Sequence, residues 1–571
     1  MNKLRSLAVA AATILLASTP AVAAAAPPPE IPQVAPATPG ELLECESLAG
    51  FAYESTRITS AAIVPDGALQ NAGTPVGEHC RVTGVMNERT GVDGQAYAIG
   101  FEMRLPAAWA GRFLYQANGG MDGNVSPALG SFTGGQLQNG LQQGFAIISS
   151  DAGHSSAQNP LFGLDPQARL DYGYQAAATL TPMAKALIAA AYGRGPDTSY
   201  FAGGSNGGRH TMVAATRLAD EYDGFLPIAP GFNLPQAAVA QLAEAQLWNT
   251  VAEQPGQIMT ALSDAERAVV RDAILERCDG IDRLRDGMVQ DSERCQKFFD
   301  VARDVPTCEG ARDGTCLTAA QKDVLAQLFA GVTTSDGERI YQPFPADAGI
   351  TNGDWGWWNL GASVALDPMA VGFVFSPEPE SPAILSNITE YALTVDIDEK
   401  AAAIWEAGST GESAMEFMTP LGDDTDLDVL RDNGAKMIVI HGASDAVFSA
   451  DDTARWFEAV DAAYGNRAEE FVRYFEVPGM GHVRGGAATD QIDALGALVA
   501  WVEHGEAPDR LIATARGEGN PGGVNPEVPA DWADDRERPL CVYPLVARYV
   551  GGDPESADSF ACKPSSGGPQ L

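Results

Sequence analysis

Four glycines crowd around one serine in FAGGSNGGRHTM, residues 201–212. Gly203-Gly204-Ser205-Asn206-Gly207 fits G-x-S-x-G, a pattern that glycine-rich turns also produce. Its neighbours narrow the choice. TSYFAG before it reads as a buried strand and RHTMVAATRLA after it as a helix. A strand that turns straight into a helix, with glycines where side chains would collide, lifts the serine out of the sheet and places the helix N-terminus beside it. Such a corner needs a parallel α/β sheet, so this stretch constrains the fold more than any other.

A serine hydroxyl is a weak nucleophile without a base and a group to orient that base. In the α/β-hydrolase order, the acid and then the histidine follow the serine, each after a late strand. KMIVIHGASD puts Asp445 just past a buried strand, and RYFEVPGMGH puts His482 in a glycine-rich loop after the next. The chain has only six histidines. His504 ends an amphipathic helix and reads as a surface residue. His79, beside Cys80, lacks acid or serine context, and His441, inside a strand, reads as a core histidine. His210 and His154 could line the site and are read first as structural. An oxyanion hole needs a backbone donor besides the Asn206 amide, and YQANGGMDG, after the strand RFLYQA, offers Gly119 and Gly120.

Strand and helix patterns alternate from about residue 42 to 231, which indicates an α/β sheet. AYAIGFEMRLP alternates as a half-buried strand, and YQAAATLTPMAKALIAAAYG is a strong helix. From 232 to 425 helical segments and turn-rich stretches replace this rhythm, and four cysteines cluster there. The α/β pattern returns over 426–571. The reading is one α/β-hydrolase domain with a large inserted lid.

The N-terminus has Lys3 and Arg5 before an apolar run from Leu7 to Ala17 and then Ala21-Val22-Ala23. This is the layout of a secretory signal over 1–23, too short for a membrane span. A Pro/Ala-rich flexible or extended leader follows over 24–41. The expectation is an exported protein, periplasmic or secreted. Without Lys3 and Arg5 the chain has 34 basic against 75 acidic residues, a net of −41. That balance argues against nucleic acid and anionic membrane surfaces as partners and leaves a small-molecule substrate. The eight cysteines, Cys45, Cys80, Cys278, Cys295, Cys308, Cys316, Cys541 and Cys562, are even in number, and export favours disulfides. Pairing neighbours closes the shortest loops and is the simplest set, although sequence alone leaves the connectivity open.

Taken together, NGGMDG, SSDAGH, FAGGSNGGRH, APGFNLPQAAVAQ, HGASDAVF, PGMGHVRGG, WVEHGEAPD and RPLCVYP…FAC resemble the tannase and feruloyl esterase family, which includes a mono(2-hydroxyethyl) terephthalate hydrolase, along nearly the whole chain. The resemblance implies an α/β hydrolase with a lid before the acid-bearing strand, hydrolysing carboxylic esters of aromatic acids. It implies Ser205 as nucleophile, His482 as base and then acid, Asp445 as orienter, and Gly120 and Asn206 as oxyanion donors. Members usually carry a cysteine just before the serine and another just after the histidine, joined beside the triad. Here those positions are Gly204 and Val483, and the other eight cysteines fit the family's remaining four disulfides.

The resemblance also bears on CDGIDRLRDGMVQDSERC, residues 278–295. It is not an EF-hand, and by spacing alone a solvated acidic turn and a cation-binding loop are equally good readings. The family's lid holds a structural Ca²⁺ in such a loop, with Asp279, Asp282 and Asp286 giving carboxylates and Leu284 and Met288 backbone carbonyls. No organic cofactor is implied. In the terephthalate mono-ester hydrolase a lid arginine holds the free acid. Between Arg339 and Lys400 this chain has no Lys or Arg, and offers Trp355, Trp357, Trp358, Phe373 and Phe375, which suits a neutral ring. Phe448, three residues past Asp445, is expected in the pocket wall. Two other readings stand beside an aromatic esterase: a hydrolase of aliphatic or hydroxyalkanoate esters, and a non-catalytic, calcium-stabilised binding protein on the same fold.

Overall fold

In the computed structural model, which describes residues 31–422 and 424–565, one nine-stranded sheet organises the chain. Its strands are β1 (Thr56–Val64), β2 (His79–Thr90), β3 (Ala96–Pro106), β4 (Arg112–Ala117), β5 (Ala146–Ser150), β6 (Thr198–Gly204), β7 (Gly224–Ile228), β8 (Lys436–Gly442) and β9 (Val472–Val477). The order across the sheet is β9-β8-β7-β6-β4-β5-β3-β2-β1. Strands β4 to β9 run parallel, and β3, β2 and β1 continue antiparallel from β5. Parallel strands covered on both faces read as continuous apolar runs. That is why TSYFAG and KMIVIHG, β6 and β8, show no alternation: every residue of β8 is buried. AYAIGFEMRLP departs from its expected half-burial. It lies between two neighbours and is buried from Gly100 to Pro106.

The helices that cover the sheet include α1 (Ala176–Tyr192), α2 (Asn206–Arg217), which leaves the serine corner, and, after the insertion, α6 (Ala450–Ala463) and α7 (Ala494–His504). Between β7 and β8 the described residues form helices and turns with no strand of the sheet. These include α3 (Leu234–Asn249), α4 (Asp264–Cys278) and α5 (Gly353–Leu360). Trp248, Ile274, Leu325 and Trp355 belong to a separate apolar core within this lid. The disulfides Cys278–Cys295 and Cys308–Cys316 brace it. Cys45–Cys80 ties the N-terminal segment to β2, and Cys541–Cys562 closes the C-terminal hairpin. All four are nearest-neighbour pairs.

The signal-like segment 1–23 and leader residues 24–30 lie outside the described residues. The rest of the leader is extended and docked. The Gln33 amide donates to Val502 O, the Thr38 N–H donates to Asp197, and Gly40–Glu41 pair with Ala108–Trp109. No helix among the described residues is long and apolar enough to cross a membrane.

Candidate active site

Ser205 stands between β6 and α2 with φ 64° and ψ −128°, a conformation costly for a side-chain-bearing residue. Its N–H donates to Ile228 O on the next strand at 2.9 Å, and its carbonyl accepts the Arg209 N–H at 3.0 Å. The flanking glycines are needed for space. A Cβ at Gly203 would lie 2.6 Å from the Gly207 backbone, and one at Gly207 would lie 2.5 Å from Ala117 O.

Asp445 and His482 follow β8 and β9 at the same carboxyl edge of the sheet, where ligands of open α/β sheets bind. His482 Nε2 is 2.7 Å from Ser205 Oγ, and its Nδ1 is 2.8 Å from Asp445 Oδ2. The other Asp445 oxygen accepts the N–H groups of Val447 and Phe448 at 2.8 and 3.1 Å. Asp445 is buried. Burial alone would raise its pKa, but charge and hydrogen bonds from His482 and His441 hold it below the ordinary carboxylate range. His441 is satisfied in the core, as expected: Nδ1 meets Thr453 Oγ1 at 2.8 Å and Nε2 meets Phe448 O at 3.0 Å. It also lies 3.3 Å from Asp445, a contact that its position within β8 did not reveal.

Gly119 and Gly120 follow β4, and a Cβ on Gly119 would lie 3.6 Å from Ser205 Cβ. Gly120 takes φ 64°. Asn206 is the first residue of α2, so its N–H has no acceptor within the helix. Behind the two lies a buried network. Tyr172 Oη donates toward Gly120 O at 3.3 Å and lies 3.4 Å from Asn206 Oδ1. Asp122 Oδ2 accepts from Asn206 Nδ2 at 2.9 Å and meets His210 Nε2 at 2.8 Å. Burial pushes Asp122 up to about 7, with His154, Arg209 and Asn206 pulling the other way. Burial also keeps His210 well below its ordinary range, helped by Arg209. His210 and His154 thus belong to the scaffold behind Gly120 and Asn206.

The aromatic lid residues divide. Trp355, Phe373 and Phe375 are lid and core residues, Trp355 meeting Trp248 edge-on. Trp357 is 49% exposed. Trp358 and Phe448 meet the His482 ring edge-on, with centroids 5.2 and 5.5 Å away. Phe448 therefore stands against the His482 ring.

In the acidic lid loop, Asp279 accepts the N–H groups of Asp286 and Gly287 at 3.0 and 3.2 Å, and Asp282 accepts that of Leu284 at 3.0 Å. Asp286 accepts the Met288 N–H through Oδ1 at 3.3 Å, and its Oδ2 turns to Arg538. Asp282 Oδ2 is buried without a hydrogen-bond partner. Burial pushes Asp282 up to about 7, and repulsion from Asp286 and Asp279 adds to this. Arg283 takes φ 81° with its side chain outward, where the backbone would suit glycine. Hard oxygen donors, an orphaned carboxylate oxygen and mutual repulsion fit the chemistry of a calcium site. The carboxylates are not drawn to one point, however: among the described residues no three acids, histidines or cysteines gather as a metal-holding group.

A nine-stranded, mostly parallel sheet with a helical lid, and a serine, histidine and aspartate in line at its carboxyl edge, define an α/β hydrolase. The family model for tannase and feruloyl esterase matches residues 80–563. The chain belongs to the tannase and feruloyl esterase family and is a carboxylic ester hydrolase. It is 38% identical over 528 residues to a mono(2-hydroxyethyl) terephthalate hydrolase of Piscinibacter sakaiensis, with 85% of each chain covered. Among solved structures, feruloyl esterase B from Aspergillus oryzae superposes with a TM-score of 0.72 at 23% identity, covering 91% of this chain and 99% of that one. A tannin acyl hydrolase from Aspergillus niger gives 0.63 at 21%, with 89% and 92% covered.

Proposed function

We propose that the chain is an exported serine hydrolase of aromatic carboxylic esters, of feruloyl, galloyl or benzoyl type, working through an acyl-enzyme. The observation that carries this is the continuous line from Ser205 Oγ through both His482 nitrogens to Asp445, with distances of 2.7 and 2.8 Å. His482 Nε2 takes the Ser205 proton as Oγ attacks the ester carbonyl. Ionised Asp445 fixes the ring with Nδ1–H toward itself and favours the imidazolium that forms. The N–H groups of Gly120 and Asn206 take the oxyanion, whose charge the α2 N-terminus also favours. His482 then protonates the leaving alcohol, and the same base activates water to release the acid. The edges of Trp358 and Phe448 beside His482 suit an aromatic acyl group. The aromatic substrates in the relatives' names agree with this. Four disulfides suit an oxidising compartment.

In this reading Asp279, Asp282 and Asp286, with the carbonyls of Leu284 and Met288, hold a structural Ca²⁺ that neutralises the acidic loop and takes no part in the chemistry. Binding requires Asp286 to share or release Arg538.

The test is a panel of methyl esters of ferulic, gallic and benzoic acids, aliphatic acids, and a mono-terephthalate. Aromatic neutral acids should give the highest kcat/KM, at least tenfold above the mono-terephthalate, because the lid supplies no cation between Arg339 and Lys400. Ser205→Ala should remove turnover while the protein stays folded. A preference for aliphatic esters would move the proposal to the other ester class. Ser205→Ala activity within tenfold of the parent would reject the serine mechanism.

A further inference from the structure

The loop that carries His482 is held from the lid. The His482 N–H donates to Asp354 Oδ2 at 2.9 Å. Two residues earlier, Asn352 Nδ2 donates to Gly479 O at 3.0 Å. Glu527 joins the same two segments: one oxygen accepts the Gly353 N–H at 2.5 Å and the other the Gly486 N–H at 2.8 Å. The loop's backbone is pressed onto the Asp354 carboxylate, since a Cβ at Gly481 would lie 2.8 Å from Asp354 Oδ2. On the serine side the loop makes an apolar contact. A Cβ at Gly204 would lie 3.0 Å from Val483 Cγ1. Val483 itself sits at φ 68°, a conformation that costs a β-branched residue free energy and persists only if its surroundings impose it. A methyl contact is non-directional. The hydrogen bond from the His482 backbone to Asp354 is directional, charge-assisted and placed on the residue whose ring must reach Ser205.

We propose that Asp354 is a positioning residue for His482: from the lid helix α5 it holds the histidine loop in register with Ser205, so that lid placement and base placement are one event. This rests on the proposed role of His482 as the base. Asp354 need not touch substrate. Its loss should misplace the base and lower kcat with little change in KM.

The experiment compares the parent with Asp354→Ala, Asp354→Ser and Asp354→Asn. Each is made in the natural chain and in one carrying Gly204→Cys and Val483→Cys. The 3.0 Å contact with Cγ1 keeps the two Cβ atoms within roughly 4.5 Å, inside disulfide range, so that chain crosslinks the two loops independently of the lid. Turnover of a neutral aromatic methyl ester and hydrogen exchange over residues 479–486 are read together. Asp354→Ala and Asp354→Ser should each lower kcat at least tenfold with KM within twofold, and speed exchange in the loop. Asp354→Asn keeps an acceptor oxygen and should stay within threefold of the parent. In the crosslinked chain Asp354→Ala should lower kcat less than threefold. If Asp354→Ala and Asp354→Ser leave kcat within twofold and exchange unchanged, the proposal falls. It falls too if the loss is the same with and without the crosslink. A parent without Ser205-dependent turnover would defeat the serine mechanism instead. The exchange measurement would then still decide whether Asp354 holds the loop, since unchanged protection without its carboxylate overturns that.

Discussion

Asp122 shows how a single residue can serve the site without facing substrate. It accepts from the Asn206 side chain and pairs with His210, tying the start of α2 to the loop that follows β4. Its folded pKa is raised from 3.8 to about 7, chiefly by burial. A carboxyl raised on folding gives stability that is present below its unfolded pKa, about 4, and lost as pH rises through about 7. Asp122→Asn removes that ionisation. From pH 5 to pH 8 the free energy of unfolding should therefore fall less in the variant than in the parent, by at most about 3 kcal/mol at 1.36 kcal/mol per unit. Asp151, His154 and Arg209 feel the Asp122 charge and His210 is bonded to it, so the difference reads Asp122 together with its effect on these neighbours. Equal pH slopes would contradict the assignment.

At the scale of elements, two segments of the lid do different work. Residues 347–359 clasp the acid and histidine loops: Asp347 is bonded to Ser444, next to Asp445, while Asn352 and Asp354 hold the histidine loop. The 278–295 loop meets the sheet through Ser292, which donates to Glu476 on β9, and its proposed ion should matter for stability alone. Ca²⁺ at a hundredfold over its Kd adds about 2.7 kcal/mol to a protein that binds only when folded. Thermal midpoints should thus rise by a few degrees from chelator to millimolar Ca²⁺, and Asp282→Ala should abolish the rise. Equal midpoints, with no calcium in the purified protein, would contradict the site. The two segments also differ in how far the sequence exposes them. Acidic residues in a closed Cys278–Cys295 loop form a local pattern. Asp354 acts across 128 positions on His482, and Asp122 across 84 on Asn206, distances at which periodicity carries no signal. Ser205, Asp445 and His482 were legible because each lies within five residues of the end of a buried strand whose apolar run marks the sheet edge. The double-sided burial of AYAIGFEMRLP was not, because it depends on which strands become its neighbours.

Over the whole molecule, the strongly acidic surface and the ester-cleaving site answer to different demands. The net charge of −39 disfavours anionic ligands at long range, and the lid adds no cation between Arg339 and Lys400. The site should therefore work on neutral esters that enter beside Trp358 and Phe448. Within it, turnover depends on one proposed event, the activation of Ser205 by His482. The most direct measurement of this is reaction with a fluorophosphonate, followed by peptide mass spectrometry and residual esterase activity. One phosphonyl group is expected, on the peptide containing Ser205, with activity lost in proportion to labelling and neither effect in His482→Ala. A chain that stays unlabelled at Ser205, or one that is labelled there and keeps its full activity, would contradict it.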